Sequence, residues 1–144
     1  MNTPVKFELA KLLKEKDFDL GVINYYSGLN LCIDKFRFNY NDKTIGDSFM
    51  HKRNGGCYSA PTIAEVVCWI YSKYDIWISL IPDSSSGHRL LDRKFSVSIF
   101  KFNMNLNVQA EIIRKNKDIL YFNLPENAFD YAINYILNTY EPTS

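Results

Sequence analysis

The reactive chemistry open to this chain of 144 residues rests mainly on two histidines and three cysteines, and their spacing restricts what they could do. His51 and His88 both fall in polar stretches that read as loops, and Cys57 shares the first of these with His51. A thiol beside an imidazole can act as nucleophile and base when a third group orients the imidazole. Neither an orienting group nor a strained turn is evident in "HKRNGGCYSA", so Cys57 and His51 are expected to be an incidental pair and no catalytic residue is assigned. A small Cys-dependent enzyme is the last of three functional readings. Cys32, Cys57 and Cys68 form no C-x-x-C pair, and His88 with Asp83 and Asp92 has neither the ligand number nor the spacing of a metal site. No metal or cofactor is expected. The adjacent glycines of "RNGGCYSAPT" precede a helix start, as a phosphate cradle would, but lack both the G-x-G-x-x-G spacing and a Walker lysine.

Positive charge beside aromatic rings is the other chemistry to weigh. "KFRF" at Lys35 to Phe38 and "FKF" at Phe100 to Phe102 interleave cations with rings, the pairing that single-stranded nucleic acid uses for phosphate attraction and base stacking. A direct RNA- or DNA-binding module acting through Lys35, Arg37, Lys52, Arg53 and Lys101 is the first alternative reading. In a strand, however, Lys35 and Arg37 share one face while Phe36 and Phe38 share the other, which is the pattern of a half-buried sheet. The formal net charge of +1 also argues against a surface that is basic all over.

These side chains must be positioned by elements whose signals run the length of the chain. Thr3-Pro4 reads as a helix start, with Val5, Leu9, Leu12 and Leu13 on one face as far as Asp17. "DLGVINYY" and "LNLCIDKFRFNY" read as two strands joined by a turn at Ser27-Gly28. Residues 39–60 turn to Asn, Asp, Gly and charge and read as a long surface loop. Thr62 and Glu65 have capping-box spacing, and Ile63, Val66, Val67, Ile70, Tyr71 and Tyr74 follow at the offsets of one helical face. Cys68 lies beside that stripe and is expected to be a buried thiol. "IWISLI" reads as a covered central strand, "PDSSSGHRLLD" as a polar turn, and "KFSVSIFKFNMNLNVQA" as a long strand broken near Ile99 to Phe102. "EIIRKNKDILYFNL" reads as a hairpin turning at Asn116-Lys117-Asp118. A last helix opens at Pro125, with Phe129, Ala132, Ile133, Ile136, Leu137 and Tyr140 on one face.

The order of elements predicts an α+β fold, a mainly antiparallel sheet with about three helices packed on one face. Length and a 47% hydrophobic content predict one globular domain over residues 1–144, with the long surface loop at about 39–60. The N-terminal "MNTPVKFELAKLLKEKD" alternates charge with apolar residues, unlike a signal peptide, and no apolar run reaches the length of a membrane span. Reduced thiols and a cytoplasmic setting are therefore expected.

"FELAKLLKEKDFD", "APTIAEVVCWIYSKYDIWISL" and "PENAFDYAINYIL" together resemble a group of small proteins encoded by phages and prophages of Bacteroidetes, mostly of unassigned function. The resemblance spans most of the chain and implies a phage or mobile-element setting, without supplying catalytic residues. With the aromatic content of 15%, it leads to the principal expectation: a non-enzymatic accessory protein in the host cytoplasm that binds a host protein or ribonucleoprotein. Inhibition of a defence nuclease, in the manner of an anti-CRISPR protein, is the form this is expected to take. The contact residues expected from the long loop are Phe49, Met50, His51, Lys52, Arg53 and Tyr58. Whether Trp69 and Trp77 are core or interface is not decided by periodicity, since both flank a stripe that other residues fill.

Overall fold

The computed structural model describes residues 2–42, 56–83, 94–103, 105 and 107–143. The fold is α+β with antiparallel sheets, as the element order predicts. Contacts along the backbone divide the chain into two compact units, Met1–Trp69 and Ile70–Ser144.

The first unit contains α1 (Phe7–Glu15), β1 (Val22–Ser27), β2 (Asn30–Phe38) and β3 (Cys57–Ser59), and takes in the start of α2 (Ile63–Tyr74). Its sheet has the order β2-β1-β3. The hairpin between β1 and β2 closes at the pair Ser27 and Asn30, leaving Gly28 and Leu29 as the two turn residues. Gly28 takes φ 57°, the left-handed value that a primed hairpin turn requires at its first central position. The Thr3-Pro4 signal does not start the helix. Pro4 instead bridges Thr62, and Val5 N–H donates to the Pro61 carbonyl at 2.9 Å, so the chain stays extended through Lys6 and α1 begins at Phe7. Residues 57–59, read as part of a surface loop, form β3 along β1, with Cys57 and Ser59 buried. Three residues are too few to show alternation, so this strand left no periodic signal.

The start of α2 follows its sequence signal. Thr62 N–H donates to Glu65 Oε1 at 2.9 Å and Glu65 N–H donates to Thr62 Oγ1 at 3.2 Å, the reciprocal bonds of a capping box. The buried face is Ile63, Val66, Val67, Trp69, Ile70 and Tyr74. Tyr71 is exposed rather than buried, and Cys68 is exposed rather than a core thiol. Trp69 takes the flank of the stripe assigned to Tyr71, with its ring 5.2 Å from that of Phe18 and its Nε1–H donating to Asp19 at 3.1 Å.

The second unit contains β4 (Ile76–Pro82), β5 (Phe95–Phe102), β6 (Val108–Ile112), the short ribbon of β7 (Arg114–Lys115) and β8 (Asp118–Ile119), and α3 (Pro125–Thr139). The three longer strands form a sheet of order β4-β5-β6. Among the described residues "IWISLI" is thus an edge strand and not a covered central one. Its Ile76 and Ile78 are buried, while Trp77 and Ile81, facing the other way, are exposed. β5 runs unbroken past Ile99, and the break falls later, at Asn103. The Asn103 carboxamide accepts the N–H groups of Asn105 and Asn107 at 3.1 and 3.0 Å, so asparagine chemistry and not the apolar parity sets the turn. The β7-β8 hairpin turns where predicted, with Asn116 at φ 60°. α3 opens at Pro125 and buries Ala128, Ala132, Ile133, Ile136 and Leu137.

Two substitutions separate capping from packing. Thr62→Ala removes half of the capping box and is expected to cost about 1 kcal/mol. Ile136→Ala empties part of a fully buried site and is expected to cost roughly 2–5 kcal/mol. Chemical denaturation followed by circular dichroism measures both, and equal losses would contradict the assignment.

Candidate functional site

Of the loop residues expected to contact a partner, Phe49, Met50, His51, Lys52 and Arg53 lie outside the described residues, as does His88. Tyr58 lies on β3 and is packed into its own unit. Its ring stands edge-on to Phe7 at 5.5 Å, and Lys14 Nζ sits 4.9 Å from its centroid while donating to the Cys57 carbonyl at 2.9 Å. Cys57 beside it has 2% of its surface exposed. Burial pushes the Cys57 thiol up from its ordinary value against the opposing pull of the Lys14 ammonium, so it is held as the neutral thiol at pH 7. This is the reverse of an activated nucleophile.

The basic residues weighed for nucleic-acid contact are disposed unevenly. Lys35 is exposed on β2. Arg37 Nη1 meets Glu65 Oε2 at 2.7 Å and the Gly21 carbonyl at 3.3 Å. The Glu65 carboxylate therefore serves both the start of α2 and the end of β2. Burial pushes its pKa up, but the Thr62 N–H and hydroxyl and the Arg37 guanidinium outweigh burial, and the net shift is downward. In the second unit, Lys101 Nζ lies 4.7 Å above the Tyr140 ring. Tyr140 and Tyr135 donate their hydroxyls to the two oxygens of Glu111 at 2.9 and 2.7 Å, beside a pocket of about 480 Å³ that Lys101, Gln109 and Tyr140 line. The Tyr140 phenol is raised by burial and then by Glu111, and the Tyr135 phenol chiefly by Glu111. Both phenols stay protonated and donate to Glu111, so the cluster fastens α3 to β6. Among the described residues, no group of three or more His, Cys, Asp or Glu side chains could hold a metal ion.

What the structure exposes instead is apolar. In the second unit Trp77 lies opposite Phe100, and Phe102 lies opposite Val108, all on the sheet face pointing away from α3. Tyr71, from the end of α2, stands edge-on to both Trp77 and Phe102, with ring centroids 5.8 and 6.0 Å apart. The three rings are 49%, 42% and 37% exposed, for Tyr71, Trp77 and Phe102 in turn. In the first unit β2 leaves Ile33 73% and Phe36 69% exposed, so the expected alternation of buried rings against exposed cations does not hold there. β2 is an edge strand, and a bulge between Ile33 and Phe38 breaks its register with β1. The Tyr71, Trp77 and Phe102 cluster is the functional candidate that sequence reading missed. Its signal was the parity of Trp77, which is opposite to that of the core residues Ile76 and Ile78.

No protein-family model, curated protein or solved structure matches the chain. Among the described residues no helix is long and apolar enough to cross a membrane.

Two measurements test these environments. Brief treatment with a thiol reagent at neutral pH, read by mass spectrometry, is expected to modify exposed Cys68 first and Cys57 only on unfolding; early labelling of Cys57 would contradict its assignment. Glu65 is more acidic folded than unfolded, so its contribution is present above the ordinary carboxylate pKa of about 4.3 and is lost as pH falls through its lower folded value. Glu65→Gln is expected to flatten this part of the acid limb of a stability–pH curve, and an unchanged limb would refute the account.

Proposed function

We propose that the chain is a non-enzymatic binding module that contacts its partner, a host protein or ribonucleoprotein, through Tyr71, Trp77 and Phe102. The observation that carries this reading is the packing of Tyr71 against both Trp77 and Phe102, while all three residues remain more than a third exposed. Tyrosine and tryptophan bury large areas with few rotatable bonds, which is why they dominate binding hot spots. The rings also hold one another in place, so less freedom is lost when a partner covers them. The charged groups favour a protein surface over a nucleic-acid backbone as the target, because Arg37 and Lys101 are already engaged with Glu65 and Tyr140. The buried, protonated Cys57 weighs against thiol catalysis. The resemblance to phage and prophage proteins extends the reading to a counter-defence inhibitor acting in the host cytoplasm on a nuclease or ribonucleoprotein effector.

A tagged pull-down from a lysate of a Bacteroidetes host with active defence systems, run with and without nuclease, tests this directly. One protein or ribonucleoprotein is expected to survive nuclease treatment. Trp77→Ala is expected to weaken its capture by about 30-fold, the effect of a hot-spot residue worth about 2 kcal/mol. Replacing residues 43–55 by a short Gly/Ser link separately tests Phe49 to Arg53. Capture indifferent to Trp77→Ala would overturn the proposed surface. Recovery of nucleic acid alone, with affinity falling steeply in salt, would establish the alternative through Lys35, Arg37, Lys52, Arg53 and Lys101.

A further inference from the structure

The face of the β4-β5-β6 sheet that packs against α3 is apolar along most of its length and charged at one end. Lys101 and Gln109 lie opposite each other on β5 and β6, and Ile99 lies opposite Glu111 two residues along, so all four side chains share this face. Ile99 is buried and floors the pocket of about 480 Å³, while Lys101, Gln109, Glu111 and Tyr140 stand around it. A volume of that order is the size of a site for a small organic molecule.

The two charges of the pocket are held but not spent. Lys101 and Glu111 are diagonal neighbours on adjacent strands, a position from which long side chains reach one another. Among the described residues they nevertheless form no ion pair with each other. Tyr140 keeps them apart: its ring takes the Lys101 ammonium at 4.7 Å from the centroid, and its hydroxyl donates to one oxygen of Glu111 while Tyr135 donates to the other. A carboxylate has about four lone-pair sites, of which the two phenols use two. An ammonium over a ring likewise keeps N–H groups for other acceptors. Among the described residues neither Lys101 Nζ nor the Gln109 carboxamide donates a hydrogen bond. The pocket therefore presents a fixed cation with a carboxamide beside it, and a fixed anion across from them, each with bonding capacity left. A ligand of single charge fits this poorly, since an anion on Lys101 comes close to Glu111 and a cation on Glu111 comes close to Lys101. A ligand carrying both charges on neighbouring atoms meets the complement of each.

We infer that this pocket binds a small zwitterion, a free α-amino acid, with its carboxylate on Lys101 and Gln109 and its ammonium on Glu111. One α-carbon separates the two charges of such a ligand, and a charge-assisted hydrogen bond of about 2.8 Å at each end carries them to groups that a single tyrosine ring holds apart. The pocket lies on the opposite sheet face from Trp77 and Phe102, so the inference stands apart from the proposed partner surface and its test needs no partner.

Isothermal titration calorimetry of the full chain against each of the common α-amino acids at millimolar concentration decides the matter. For any that binds, the N-acetyl derivative, which lacks the ammonium, and the amide, which lacks the carboxylate, are titrated in turn. The parent is expected to bind at least about tenfold more tightly than either derivative. Lys101→Met and Glu111→Gln each remove one charge of the pocket, and each is expected to raise the dissociation constant at least about tenfold. Circular dichroism checks folding, since Glu111→Gln also weakens the acceptor of two phenols. Gln109→Ala, at an exposed position, is expected to weaken binding without that complication. If no α-amino acid binds at millimolar concentration, the inference is overturned. An N-acetyl derivative as tight as its parent would make this a simple anion site, and an equally tight amide a simple cation site; either result rejects the zwitterion, as does an affinity indifferent to Lys101→Met and Gln109→Ala.

Discussion

A three-stranded sheet has one interior strand and two edges, and most of its area lies within one strand of solvent. Both larger sheets of this chain work under that constraint. In the second unit the interior strand is β5, where Ser96, Val97, Ser98 and Ile99 are all buried, while β4 and β6 carry the exposed side chains Trp77, Ile81 and Val108. In the first unit the interior strand is β1. One edge, β3, is only three residues long and is backed by α1, whose Lys14 also reaches the Cys57 carbonyl. The other edge, β2, is nine residues long and has no comparable cover among the described residues. Apolar residues placed on edge strands therefore remain in contact with water, and the exposed apolar surface follows from the width of the sheets.

The polar chemistry is disposed in the opposite sense. Glu65, Glu111, Arg37, Lys14 and Lys101 are each committed to a partner within their own unit, so their charge fixes elements in place. Glu65 serves two elements at once: one oxygen completes the start of α2 and the other takes the guanidinium that leans back from the end of β2. The tyrosine hydroxyls on Glu111 do the same between α3 and β6. The Tyr135 and Tyr140 phenols are held protonated and the Cys57 thiol is buried, so these groups too serve the packing of their own units.

Local signals in the sequence were reliable where a single element enforces them. The capping box at Thr62 and Glu65, Pro125 at the start of α3 and the turn at Asn116 all depend on neighbours within a few residues, and all are present. Signals that need a distant partner were not legible. Periodicity places Tyr71 on the apolar stripe of α2 and Trp69 on its flank, and only Phe18 and Asp19 decide that Trp69 is the one buried. Pro4 looks like a helix start until Thr62 claims its backbone. β3 is too short to show alternation, and the bulge in β2 reverses the parity from which the burial of Phe36 was expected. The same holds for the candidate site. Trp77 was visible as a residue out of phase with the core, but its companions Tyr71 and Phe102 come from other elements.

The two tryptophans fall one in each unit, Trp69 buried with its indole N–H on Asp19 and Trp77 open to water. The molecule thus carries two tryptophan fluorophores in unlike surroundings. Trp69 is sheltered from an aqueous quencher such as iodide, and Trp77 is accessible to it. Selective quenching can separate their emission, so that the melting of the first unit and events at the aromatic cluster of the second can be followed in one cuvette without an attached dye.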